Sequence, residues 1–153
     1  MEEIIIRKIR MNEVPDLISM CEAHADFEQA TYINNDQEEI LKECLFQLNP
    51  PLYCVVALRE QSIMGYATYM KQFSTWDAEY YMYLDCLYLV EEARGLGYGR
   101  KIMEFIKSEA LRLGCRQMQW QTPEFNDQAV RFYKGMGAVN KSKERFFWEF
   151  NAY

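Results

Sequence analysis

YLVEEARGLGYGRKIMEF, residues 88–105, decides how the rest of the chain is read. An apolar run ends at Glu91 and Glu92, glycines follow at 95, 97 and 99, and Arg100 and Lys101 lead into a segment of helical periodicity. Each glycine loses backbone entropy on folding, so three of them at one strand-to-helix junction need a reason. The spacing excludes two common ones. A P-loop needs GxxxxGK[ST], and neither that interval nor the Lys-Ser/Thr pair is present. A dinucleotide fingerprint needs GxGxxG, whereas this run is GxGxG, and no fitting acidic residue ends a following strand to hold a ribose. Two readings stay open: an ordinary strand–helix connection, or an anion cradle of a different kind. In the second, a glycine turn lets an anion approach consecutive N–H groups at a helix N-terminus. Arg94 and Arg100 add positive charge there, in a chain of net charge −6.

The flanking segments set the order of elements. On the N-terminal side of the junction, EYYMYLDCLYLV (79–90) reads as a long central strand, apolar on both faces. On its C-terminal side, residues 97–113 read as a helix, with Ile102, Phe105, Ile106, Ala110 and Leu113 at helical spacing and Gly114 as its stop. CRQMQWQT (115–122) reads as a strand broken by Pro123. NDQAVRFYKGM (126–136) reads as a helix capped by Asn126, and ERFFWEF (144–150) as a final strand. Towards the N-terminus, EIIIRKI (3–9) is a short strand. Asn12 is expected to cap a first helix with Pro15 in its first turn and Leu17, Ile18, Cys21 and Ala25 on its apolar face. NNDQEEILKECLFQL (34–48) is a second helix with Ile40, Leu41, Cys44, Leu45 and Leu48 on one side, stopped by Pro50 and Pro51. LYCVVALRE (52–60) and IMGYATYMKQF (63–73) form a hairpin that turns near Gln61 and Ser62. The order β-α-α-β-β-β-α-β-α-β implies an α/β (α+β) mixed sheet with helices on both faces.

Composition narrows the class. At 153 residues, 50% hydrophobic and 15% aromatic, the chain reads as one domain, 1–153, with a real core and no tendency to disorder. No apolar run approaches the ~20 residues of a membrane span, and MEEIIIRKIR lacks the basic start of a signal peptide, so a cytoplasmic protein is expected. Cys21, Cys44, Cys54, Cys86 and Cys115 form no CxxC pair and there is a single histidine, His24, so neither a zinc site nor a disulfide framework is expected. The negative charge argues against nonspecific nucleic-acid binding and is compatible with a cationic substrate.

RGLGYG (94–99) resembles the (R/Q)xxGx(G/A) signature of the GCN5-related N-acetyltransferases, and NDQAVRFYKGMGA (126–138) resembles the Asn…Tyr…Gly segment near the C-terminus of that family. The two motifs agree in order and spacing, and the resemblance covers nearly the whole chain. Within the superfamily the chain is most similar to the diamine (spermidine/spermine-type) acetyltransferases and their bacterial relatives. The resemblance implies a mostly antiparallel twisted sheet of six to seven strands, acetyl-coenzyme A as cofactor, and transfer of the acetyl group to a primary amine of a small molecule by direct attack. It also implies a homodimer. Arg94, Gly95, Leu96, Gly97, Tyr98, Gly99 and Arg100 then hold the pyrophosphate. The backbone of Leu87, Tyr88 and Leu89 pairs with the pantetheine arm, and the Leu87 N–H polarises the thioester carbonyl. Asn126 holds that arm or caps the last helix. Tyr133 protonates the departing thiolate, and Asp85 takes the amine's proton, directly or through water. The relatives carry Glu-Asp where this chain has Asp85-Cys86.

The residues themselves add physical readings. Asp85 lies inside an apolar run, where burying an unpaired carboxylate is costly, so a base or a salt-bridge partner is expected. Cys86 reads as a small core residue on the opposite face from Asp85, with an acyl-carrying nucleophile as the alternative. Phe27, Glu28, Trp76, Asp77 and Tyr80 are candidates for an acidic-aromatic pocket around a cationic amine, or else are ordinary loop residues. His24 is read as a surface residue without a role. The rivals to a small-molecule enzyme are a noncatalytic coenzyme A-binding module and an acetyltransferase of protein N-termini or lysines.

Overall fold

Three isoleucines in a row and an alternating hairpin build the first half of one sheet. The computed structural model describes residues 2–151, and its contacts separate a unit ending at Gln121 from one beginning at Thr122. In the first unit, β1 (Ile4–Lys8), β2 (Tyr53–Arg59), β3 (Ser62–Ser74), β4 (Glu79–Leu89) and β5 (Met118–Trp120) form a five-stranded sheet in that spatial order. The first three pairings are antiparallel and the last, β4 with β5, is parallel. The parallel step needs a crossover, which α3 (Tyr98–Arg112) supplies.

Alternation along β2 shows how the two faces are covered. Cys54, Val56 and Leu58 pack with Leu17 and Met20 of α1 (Val14–Phe27), with Tyr66 of β3, and with Leu41 and Leu45 of α2 (Gln37–Phe46). Val55 and Ala57 point the other way and are fully buried. Lys8, the register partner of Val55, reaches Glu109 of α3 at 3.4 Å, which places α3 on this second face. Ile102, Ile106 and Ala110, foreseen on the helix's apolar stripe, are buried there. Of the stripe predicted for 34–48, Leu41 and Leu45 meet the core, Ile40 is exposed on α2, and Leu48, also exposed, lies beyond the helix end at Phe46.

The start of α1 is made differently from expectation. A single 3₁₀ turn (Met11–Glu13) precedes Val14, and Glu13 caps that turn by accepting from the Arg10 N–H at 2.8 Å; α1 itself begins after Glu13 with Pro15 in its first turn and with no side-chain cap, from Asn12 or any other described residue. The Arg7 guanidinium clamps the same carboxylate at 2.6 and 3.0 Å and holds its pKa below the usual range.

The second unit contains α4 (Asp127–Gly135), begun by Asn126, whose side chain accepts from the Ala129 N–H at 3.2 Å. The expected strand at 144–150 is not formed. Phe146, Phe147, Trp148 and Phe150 are exposed, and the segment makes no ladder pairing among the described residues. The described sheet therefore has five strands where six to seven were expected.

Gly65 of β3 carries a packing constraint on the end of β4. A Cβ at this position would stand 2.5 Å from both the Tyr88 carbonyl oxygen and Leu89 Cδ2. One of the two clashes is with backbone, which cannot rotate away. Gly65→Ala should therefore lower unfolding free energy by about 1–3 kcal/mol, the usual cost of overpacking, measured by urea denaturation. An unchanged midpoint would mean that β4 can shift freely at Leu89.

Candidate active site

The site is built from an irregularity in β4. Leu84 pairs with Tyr69 and Cys86 with Thr68, so Asp85 has no partner residue on β3. This β-bulge resets the pleat: without it, Leu84 and Cys86 would share a face. Instead Leu84 is buried opposite Tyr69, and Cys86 packs with Cys54 and Tyr66 on the side of α1.

The bulge corrects two expectations. Asp85 is exposed, because the extra residue is displaced from the pleat that would have buried it. Nor is Cys86 on the opposite face, since its Sγ lies 3.7 Å from Asp85 Oδ2. Burial, reinforced by that carboxylate, pushes the Cys86 thiol up to about 12, so no nucleophilic thiolate forms near neutral pH.

Beyond the bulge, β4 has no described strand partner on the side away from β3. Its pairing with β5 covers only Met82–Leu84. Val90 donates to the Met64 carbonyl at 2.9 Å, which fixes the alternation backwards along the antiparallel ladder. Tyr88 and Cys86 are turned towards β3. The N–H and C=O groups of Leu89 and Leu87 point away from it, towards the side without a strand partner. The Leu89 carbonyl confirms the direction by accepting from Arg94 Nε at 3.1 Å.

The glycine run follows directly. A second 3₁₀ turn, Glu91–Ala93, satisfies the amides of Ala93 and Arg94. Among the described residues, the next six amides, 95–100, have no acceptor of ordinary hydrogen-bond geometry, and the ladder resumes with Lys101 N–H to the Gly97 carbonyl at 3.2 Å. Gly95 and Gly97 sit at φ +76° and +93°, left-handed positions, and no atom lies within 4 Å of where either Cβ would stand. Tyr98 and Gly99 are buried, anchoring the first turn of α3, while Arg100 is exposed. The result is a run of unpartnered N–H donors at the positive end of a 15-residue helix, chemically suited to a diphosphate.

Arg94 immediately precedes this run. Its guanidinium lies 4.4 Å from the Phe27 ring centroid and 5.7 Å from that of Tyr88, and it makes no ion pair with a described carboxylate.

The five acceptor-pocket candidates do not come together. Phe27 and Glu28 lie at the end of α1, with Phe27 against Tyr88. Trp76, Asp77 and Tyr80 lie at the β3–β4 turn and the first turn of that hairpin's return strand. Tyr80 and Tyr88 are eight residues apart on β4, roughly 25 Å at about 3.3 Å per residue. Trp76 is 98% exposed, and Asp77 closes the turn with Ser74 at 2.9 Å. Tyr80 packs on Phe73, with Lys71 Nζ 4.2 Å over its ring.

His24 is more than the surface residue expected. Its side chain is 12% exposed; Nδ1 lies 2.8 Å from Tyr66 Oη and Nε2 3.2 Å from Glu28 Oε1, and the ring stacks on Tyr88 at 5.3 Å. Burial raises the Tyr66 pKa far above its ordinary value, so its hydroxyl stays protonated. Glu28, an acceptor, takes a hydrogen bond from Nε2–H, and Nδ1 shares one with Tyr66 Oη whose donor is set by the protonation of the imidazole. The i,i+4 spacing of His24 and Glu28 was visible in the sequence; the partnership with Tyr66, 42 residues away, was not. Tyr133 lies half-buried on α4, its ring beside Phe132 at 5.2 Å, in the unit that starts at Thr122.

The sequence profile of the acetyltransferase (GNAT) family matches residues 17–138. The chain is 29% identical to mouse (Mus musculus) thialysine N-epsilon-acetyltransferase over 95% of this chain and 89% of the relative. It is 30% identical to the pig (Sus scrofa) protein of the same name, over 90% and 85%. In fold it is similar to an aminoglycoside acetyltransferase from an uncultured soil metagenomic sample, with TM-score 0.82 at 19% identity and 97% of each chain covered.

The state of Cys86 is directly checkable. Alkylation by iodoacetamide at pH 8 should leave Cys86 unlabelled in the native protein, with labelling appearing on unfolding or as the pH nears 12, read by mass spectrometry. Rapid native labelling at pH 8 would restore the nucleophile reading.

Proposed function

This chain belongs to the GNAT acetyltransferase family, and from that premise we propose that it transfers the acetyl group of acetyl-coenzyme A to a primary amine of a small cationic molecule. The observation that carries the reading is the run of six unpartnered amides at 95–100, preceded by Arg94 and continuous with the side of β4 that has no described strand partner. A diphosphate satisfies such donors without side-chain rearrangement. A pantetheine arm, with its amide groups, is complementary to the outward N–H and C=O of Leu87 and Leu89.

When bound, acetyl-coenzyme A supplies an activated thioester; the protein's part is to hold, orient and move protons. The Leu87 N–H points to that same side of β4 and is the donor placed to meet a developing oxyanion. An alkylamine has a pKa near ~10 and must shed a proton before it attacks. Asp85 is the carboxylate at the bulge, exposed and therefore reachable by an amine or an intervening water. Tyr133 is the acid for the departing thiolate, whose conjugate acid has a pKa of about 8.5. Glu28, held by His24, is the anionic group that receives the acceptor's charge. The choice of a small amine draws on the relatives named for thialysine.

Calorimetric titration with coenzyme A, followed by thiol-release assays over a panel of diamines, lysine analogues and peptide N-termini, tests the whole scheme. Heat with coenzyme A and turnover of small diamines or lysine analogues are expected. No heat removes the reading; heat without turnover of any amine favours a noncatalytic binding module. Tyr133→Phe should lower kcat about 100-fold or more while keeping coenzyme A affinity; unchanged turnover takes the acid role away. For Asp85→Asn the acid limb of the kcat/KM profile should disappear, and an unaltered pH profile would place the base elsewhere.

A further inference from the structure

Phe27 was one candidate for the acceptor pocket, with an ordinary loop residue as the alternative, and its ring instead meets Arg94 and Tyr88. It ends α1, and although 43% exposed, one side of its ring meets Tyr88 at 6.5 Å and a face receives the Arg94 guanidinium at 4.4 Å. Arg94 is also tied through Nε to the Leu89 carbonyl. It precedes the first of the unpartnered amides. Its terminal nitrogens have no described acceptor, in a chain with 23 acidic residues. An arginine left loose at this spot has many rotamers to give up before it can bind an anion. Stacked on an aromatic face, it has given them up already, and a planar guanidinium keeps its terminal N–H groups available at the rim of the stack.

We propose that Phe27 is a positioning residue for the cofactor: its ring holds the Arg94 guanidinium at the mouth of the 95–100 amide cradle, so that α1 completes the diphosphate site. The inference rests on the proposed coenzyme A binding and adds a part of the chain that neither the glycine signature nor the strand before it contains. Tyr88, T-shaped to Phe27 and 5.7 Å from the guanidinium, is itself backed by the His24 ring at 5.3 Å.

The test is calorimetric titration of coenzyme A into the wild type, Phe27→Leu, Phe27→Trp, Arg94→Gln and the Phe27→Leu/Arg94→Gln double variant. Leucine keeps the apolar bulk and removes the π face; tryptophan keeps the face. Phe27→Leu should weaken coenzyme A about three- to fivefold, the strength of a partly exposed cation–π contact. Phe27→Trp should bind like the wild type. In the Arg94→Gln background the leucine substitution should add nothing, because its effect passes through the guanidinium. In steady-state assays the KM for the acetyl donor should rise in Phe27→Leu while that for the amine stays put. Equal coenzyme A affinity in Phe27→Leu and wild type overturns the proposal. So does full additivity with Arg94→Gln, loss in Phe27→Trp equal to that in Phe27→Leu, or a rise in amine KM alone. If the wild type gives no heat with coenzyme A, the underlying reading fails and takes this inference with it; wild-type binding with an insensitive Phe27→Leu removes this inference only.

Discussion

Opposite Tyr69 and Thr68 of β3, β4 carries Leu84, Asp85 and Cys86, one residue more than the ladder can pair. Three consequences follow from that surplus. The pleat is reset, which turns Cys86 inward beside Tyr66 and leaves Asp85 exposed. Pairing with β5 ends at Leu84, immediately before the bulge, so the backbone of Leu87 and Leu89 faces a side without a described strand partner. And β4 then runs on in its new phase to Val90, delivering the chain to the glycine turn with the Leu89 carbonyl placed for Arg94. A regular strand would have kept its alternation and left the carboxylate, the outward amide and the cradle without a common edge.

Energetically, the cradle is an arrangement kept unsatisfied by the protein. Unpartnered backbone groups are tolerable because Gly95 and Gly97 are exposed, where water can serve them, and because their left-handed conformations suit glycine. The stability of the junction comes from its flanks. Ala93 is fully buried on one side, and Tyr98, Ile102 and Ile106 are buried on the other. A rigid frame around an open loop is what preorganised anion binding requires, since the donors do not have to be ordered when the ligand arrives.

The fold was legible to the extent that it is local. The 3.6-residue stripe of α3, the hairpin at 60–62 and the Asn126 cap all depend on neighbours in sequence, and the structure has each of them. What was lost depends on distant partners. A bulge cannot be seen in YLDCLYL, because the same letters fit an unbroken strand; only the register against β3 reveals it. Aromatic letters at 144–150 promise a strand, but a strand exists through hydrogen bonds to a partner that the letters do not carry, and no strand forms there. The Asn12 cap of α1 is absent because a 3₁₀ turn comes first, closed by the Glu13 carboxylate, which Arg7 on β1 clamps. In the site, glycine spacing located the cradle, while the acceptor candidates were grouped by residue type alone and turned out to lie at opposite ends of β4.

That separation changes what recognition of a cationic acceptor can rest on. Two of the three aromatic faces foreseen for an ammonium are already covered by the protein's own cations, Lys71 over Tyr80 and Arg94 over Phe27, and the third, Trp76, stands exposed at the far turn of the hairpin. A second cation over either stack would meet like charge at close range and gain little from the ring quadrupole. Glu28 is the candidate that remains chemically free to act, partly exposed and fixed by a histidine whose other nitrogen is held by Tyr66. Under the proposed transfer, with one ammonium of the acceptor at Glu28 and its reacting amine at the bulge, preference would be set by the spacing of the two nitrogens. Selectivity among acceptors should then follow chain length between two nitrogens more closely than side-chain shape, which is the behaviour of a charge-spaced site and not of an aromatic cage.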